Sequence, residues 1–244
     1  MIRNGILDSS RSKAAAPSYP TDGLLARYIF DDNLEDSYGS YDASEDGTSG
    51  SYSSTAVIGS KSYRFSGNGA LSLPSGLFYL FESHSQPFSI NYWWRIPSNG
   101  DANTARQMYV AQGTRTLNIG GAWHRLYPGT NAYAYLKEPT NSAAGWEWAN
   151  HLNEWHMISL CFQGTGHGCK IYGWVDADSD SYGEAAVGST TPSGVSFWRF
   201  GYMWQMWGQN GYCGEGCLID GVYVYEKALS IDEASQLYNG GSGV

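Results

Sequence analysis

Basic residues are scarce: 14 Lys and Arg stand against 23 Asp and Glu, a net charge of −9. A net charge of that sign argues against nucleic acid and anionic membrane as partners, since both need a basic face. The same acidity also serves plain solubility. No run approaches the roughly 18 consecutive apolar residues of a membrane-spanning helix. Met1 to Ala16 carries two Arg and one Lys but no apolar stretch, so no secretory signal is expected. The chain is then expected to be made in a host cytoplasm and to stay there or leave by lysis.

The motifs of chemistry are also missing. No Gly-x-Ser-x-Gly elbow, phosphate loop or dinucleotide fingerprint occurs. The five histidines, His84, His124, His151, His156 and His167, form no short His-x-x-x-His pattern. His151 and His156 lie five apart across a turn, a weak signal. Cysteine is limited to four. Cys161 and Cys169 flank a Gly-rich turn, and Cys213 and Cys217 bracket Gly-Glu-Gly. These spacings suit local disulfides or free thiols better than zinc knuckles.

Aromatics and glycine are abundant, with 10 Trp, 19 Tyr and 31 Gly. Aromatics favour strands and glycine favours tight turns. Short apolar runs recur between turn residues: Leu24 to Phe30, Ser62 to Phe65, Ala70 to Leu73, Phe88 to Ile96, Trp155 to Phe162, Lys170 to Val175, Val195 to Phe200 and Leu218 to Tyr225. Shorter runs at Met108 to Ala111, Leu117 to Ile119, Trp123 to Tyr127 and Ala132 to Leu136 read as further strands. Residues 36–56 read as a long loop. One helix is expected from Ile231 to Tyr238. Ser230 is its N-cap, Glu233 closes a capping box, and Gly240 and Gly241 stop it. The pattern predicts an all-β fold of two packed antiparallel sheets. Residues 1–20 show no periodicity and read as an extended arm; residues 21–244 read as one domain. Free termini fray unless tied down, so the arm is expected to dock on other subunits, and an oligomer in the assembly is expected.

Four pieces in order carry a resemblance. They are Leu24 to Asp36, Tyr63 to Leu73, Phe88 to Ile96, and Trp155 to Leu160 followed by Ile171 to Asp176. The closing strand Ile219-Asp-Gly-Val-Tyr223 and its helix complete the set. Together they resemble the laminin-G-like, concanavalin A-like lectin and glucanase jelly-roll family. The resemblance implies a concanavalin A-like β-sandwich with an N-terminal arm and a short C-terminal helix. It also implies binding or assembly more than catalysis. Glucanases of this family place Glu-x-Asp-x-x-Glu on one strand, and this chain has no such run. Asp176, Asp178 and Asp180 sit in a Ser/Ala/Gly context and read as a loop after a strand, and His156 matches the family's Trp-His pair as a structural residue.

Some family members hold a structural calcium between the opening turn and the closing strand. Asp31, Asp32, Asn33, Asp36 and Asp220 stand at the matching positions, and hard oxygens suit calcium. The alternative is that these side chains cap turns. The stretch Tyr202-Met-Trp-Gln-Met-Trp-Gly-Gln-Asn-Gly-Tyr212 reads as an aromatic loop. Its Trp204, Trp207 and Tyr212, with Trp123, Trp146 and Trp148, are the candidate partner-binding residues. Core filling, a subunit interface and sugar stacking are all open for them. The leading expectation is a non-enzymatic virion structural protein, such as a bacteriophage head-decoration, fibre or tail-surface component displaying a lectin-like domain, with residues 1–20 contacting other virion subunits and a cell-surface glycan as a further partner. The alternatives are a carbohydrate-binding module and, less favoured, a divergent glycoside hydrolase or lyase.

Overall fold

A computed structural model describes residues 18–77, 86–98, 106–112, 115–120, 125–126, 134–135, 151–163, 170–186, 196–206 and 209–244. For some of the strands only the backbone is described. The large sheet contains β1 (Leu24–Tyr28), β3 (Ser51–Ser53), β4 (Ser62–Arg64), β6 (Phe88–Arg95), β11 (Trp155–Phe162), β12 (Lys170–Val175), β13 (Gly183–Ala186) and β17 (Leu218–Tyr225). Its order is β13-β12-β11-β6-β17-β4-β3, with β1 also on β17. The small sheet has the order β2-β5-β14-β7-β8, from β2 (Ser44–Gly47), β5 (Gly69–Leu73), β14 (Ser196–Phe200), β7 (Arg106–Gln112) and β8 (Arg115–Gly120). Two ribbons remain: β9 (Arg125–Leu126) with β10 (Ala134–Tyr135), and β15 (Tyr202–Met206) with β16 (Gln209–Tyr212). All pairings among these strands are antiparallel.

The period of two in β6 explains the layering. Phe88, Ile90, Tyr92 and Trp94 point to the inter-sheet core, where they meet Trp198 and Phe200 of β14 and Leu71 and Leu73 of β5. Trp93, on the other face, joins a second core with Met157, Cys161, Tyr223 and Tyr225. That second core is closed by α1 (Ile231–Tyr238), which buries Ala234 and Leu237. The Tyr238 ring stacks on Trp93 at 5.6 Å and 17°. The central strands of the large sheet are therefore covered on both faces, and β17 is buried at all eight positions.

β17 pairs with β6 along one edge. On the other edge, β4 takes Leu218 and Ile219 while β1 takes Val222 to Tyr225. A bulge between Asp220 and Tyr223 separates the two halves. Gly221 sits at the bulge with φ +47, and a Cβ there would lie 2.2 Å from Ile58 Cδ1. Only glycine fits that conformation and that gap.

The helix begins as expected: Ser230 Oγ accepts from the Glu233 amide and the Glu233 carboxylate accepts from the Ser230 amide. It ends at Asn239 in the left-handed conformation, one residue before the expected glycine stop. Asn tolerates that conformation, and Gly240 and Gly241 continue into a short 3₁₀ turn. Buried Ser89 anchors the approach to the helix by donating to the Lys227 carbonyl and accepting from the Leu229 amide.

The stretch expected as a loop over residues 36–56 contains β2 and β3. The aromatic stretch from Tyr202 to Tyr212 is a β-hairpin. Tyr19 and Pro20, assigned to the arm, pack on the sandwich. The Tyr19 ring lies 5.7 Å from that of Tyr223, with Arg27 Cζ 4.7 Å above it, and Tyr225 Oη donates to the Pro20 carbonyl. Residues 1–17 lie outside the described residues. Cys161 and Cys217 are buried free thiols, Cys213 is buried, and burial pushes Cys161 up to about 12. Cys169 lies outside the described residues.

Candidate functional site

The outer face of the small sheet carries a polar and aromatic patch. In β14, Trp198 and Phe200 point to the core, so Arg199 between them points outward. Its guanidinium meets Asp46 of β2 at 2.5 Å. It also lies 5.2 Å from the ring centroid of Tyr202. Gly201 makes this possible. Its φ is +75 and a Cβ would lie 2.4 Å from the Phe65 ring, so the chain reverses there and lays the β15–β16 hairpin beside the sheet. Tyr202 and Tyr212 pair across that hairpin with ring centroids 5.3 Å apart, over Ala70. Tyr202 is nearly buried, and half-buried Tyr212 packs against it and Ala70. An aromatic ring beside a guanidinium and a carboxylate can stack on an apolar ligand face and bond hydroxyls around it.

Of the aromatic residues singled out from sequence, the structure places Tyr212 on this patch and Trp204 in the same hairpin, where only the backbone is described. Trp207, Trp123, Trp146 and Trp148 lie outside the described residues. Arg199 and Asp46 were not among the sequence candidates. The outward position of Arg199 between Trp198 and Phe200 was a usable signal; its contact with Asp46 was not.

The acidic residues divide into two groups. Asp36 holds the opening turn, accepting from the amides of Arg27, Tyr38 and Tyr41, and Asn33 Oδ1 caps the Glu35 amide. Asp31, Asp32 and Asp220 face the segment from Val57 to Lys61. Asp31 accepts from the Ser60 and Lys61 amides, and Asp32 pairs with the Lys61 ammonium at 2.7 Å. Asp220 is fully buried and accepts from the amides of Val57, Ile58 and Gly221 at 2.8–2.9 Å. Burial pushes its carboxyl up to about 7; the three amides pull the other way, and neighbouring Asp31 adds to the rise. Asp31 and Asp220 offer the hard oxygens that calcium takes, but each already accepts from backbone amides of the Val57–Lys61 segment. Asp36, Asn33 and Asp32 are committed to the turn and to Lys61.

No family model matches the chain, and no curated protein matches it in sequence. Solved structures share its fold. Domain 4 of AbnA, a GH43 extracellular arabinanase from Geobacillus stearothermophilus, in complex with arabinotriose, has a TM-score of 0.59 at 18% identity. The match covers 87% of this chain and 96% of that one. The botulinum neurotoxin serotype C1 binding domain has a TM-score of 0.57 at 13% identity, covering 89% of this chain and 52% of that one. The botulinum neurotoxin DC binding domain in complex with SialylT has a TM-score of 0.57 at 15% identity, covering 90% and 52%. The chain spans about half the length of those toxin domains. At these identities the likeness is one of fold.

The raised carboxyl of Asp220 sets a direction for stability against pH. An unfolded Asp titrates near 3.8 and the folded one at about 7, so the fold favours the protonated form. Its contribution is full below about pH 4 and is lost as pH rises through about 7. Over that window, in EDTA, urea denaturation should show the wild type losing up to about 4 kcal/mol more than Asp220→Asn. Parallel pH profiles for the two proteins would contradict this.

Proposed function

We propose that the chain is a non-enzymatic, lectin-like recognition domain that holds a carbohydrate on the outer face of its small sheet. The observation that carries this reading is the β15–β16 hairpin, where Tyr202 and Tyr212 adjoin the Arg199–Asp46 pair. The flat, CH-rich face of a sugar stacks on such rings, and its hydroxyls suit charged partners. The chain has no Glu-x-Asp-x-x-Glu strand, which supports binding without cleavage. The shared fold of a domain solved with arabinotriose supports the same reading and supplies a first probe.

We place the domain on a virion surface, with the arm docking on neighbouring subunits and a cell-surface glycan as its target. The polar Ser, Arg, Lys and Ala composition of the arm supports this. A structural calcium between Asp31 and Asp220 belongs to the same proposal. Two neighbouring carboxylates, one of them buried, are a pair that a divalent cation would relieve.

Retention on immobilised glycans, including arabinan oligosaccharides, tests the recognition reading. Wild type should be retained, and Tyr212→Ala and Arg199→Gln should lose retention while staying folded at the assay temperature. Calcium in place of EDTA should raise Tm. Retention of neither variant nor wild type on any glycan would reject the carbohydrate reading, and equal Tm values would reject the calcium. Native mass tests the arm. The full chain should be an oligomer and a chain lacking residues 1–17 a monomer; equal subunit counts would remove the docking role.

A further inference from the structure

A second set of side chains lies at the opposite end of β11 from the Gly-rich turn. Just before that strand, Asn153 adopts φ +67 in a turn. Its amide donates to the Ile96 carbonyl at 2.6 Å, and Arg95 Nε donates to its carbonyl at 3.2 Å. This pinned turn brings His151, Glu154 and His156 together, with one ligand atom from each within 4.8 Å of the others. Glu154 Oε2 lies 3.5 Å from His151 Nδ1 and 3.4 Å from His156 Nε2. Ligands about 2.0–2.2 Å from a tetrahedral ion stand roughly 3.3–3.5 Å from each other. The two measured edges have that length.

The surroundings of His156 match the same purpose. Its Nδ1 lies 2.6 Å from Asp176 Oδ2, and the other Asp176 oxygen accepts from the Met157 amide at 2.8 Å. A carboxylate only accepts, so Asp176 takes the Nδ1 proton, and a bound ion would take the place of a proton on Nε2, the ring nitrogen that faces Glu154. A carboxylate behind the outer nitrogen of a ligating histidine is the usual support of a zinc ligand. His156 is nearly buried, His151 half-buried and Glu154 exposed. The ion would therefore be held from below by His156, with Glu154 on its solvent side.

We propose that His151, His156 and Glu154 form a binding site for a zinc-type divalent ion, with Asp176 as a positioning residue for His156. Two nitrogens and one oxygen select a borderline metal over calcium, which prefers oxygen alone. The site ties the turn before β11 to the turn after β12. It does not depend on the carbohydrate reading and lies apart from the Arg199 patch and from Asp220.

Calorimetric titration of the full chain with zinc tests it, and cobalt gives visible absorption as a check on geometry. Wild type should take up one ion per chain. His151→Ala and Glu154→Gln, on the accessible side, should each weaken binding at least about tenfold without moving the urea midpoint. Asp176→Asn should weaken it about 10–100-fold. No stoichiometric uptake would overturn the proposal. So would uptake that survives His151→Ala and Glu154→Gln but is lost on thiol alkylation, which would assign the ion to the cysteines.

Discussion

The rest of the structure depends on the burial of β17. Eight consecutive residues, Leu218 to Tyr225, are closed off from water on both faces and bonded along both edges. A strand in that position must have every backbone group paired and every side chain packed. It gets there by joining the two ends of the fold: β1 and β4 share one edge end to end, and β6 takes the other. The bulge at Gly221 lets one continuous strand serve both neighbours. The outer side of the sheet then needs its own cover, which α1 and Val244 supply. The Val244 carbonyl accepts from Tyr223 Oη and from Arg27.

This constraint bears on where the proposed recognition sites lie. Among the described residues, the central strands β6, β11 and β17 have no free face to offer, because the inter-sheet core covers one side and the helix-side core the other. Variable chemistry is left to the periphery, namely the outer face of the small sheet and the turns at the strand ends. The Arg199 patch occupies the first and the His151 cluster the second. Both are built on rigid strands and aimed by short turns with left-handed residues, Gly201 in one case and Asn153 in the other. Loops carried on such a scaffold are where binding groups usually sit.

The central strands were legible because their apolar runs are long and bounded by turn residues. Trp155–Phe162, Lys170–Val175 and Leu218–Tyr225 match the expected limits residue for residue. The capping box of α1 was legible for a local reason, since its bonds span three residues. β2 and β3 were not legible. Ser-Glu-Asp-Gly and Ser-Tyr-Ser have no apolar pattern, and they are strands only because β5 and β4 offer them free edges. The aromatic hairpin was read as a loop because glycine and polar residues interrupt it; packing beside the small sheet orders it. The sites were the least legible. Arg199 meets Asp46 across most of the chain, and Asp176 reaches His156 over a strand pair, so no local spacing announces either. The acidic turn shows the reverse case: a conspicuous run whose members divide between two separate loops.

The central claim is that the outer face of the small sheet is the recognition face. Backbone NMR shifts during titration with arabinotriose, and then with the glycan retained best, test it most directly. The account predicts shifts clustered at Asp46, Arg199, Tyr202 and Tyr212, with the amides of β17 and α1 unmoved. Shifts confined to the helix-covered face or to the turn from Asp31 to Asp42, with the hairpin silent, would contradict it.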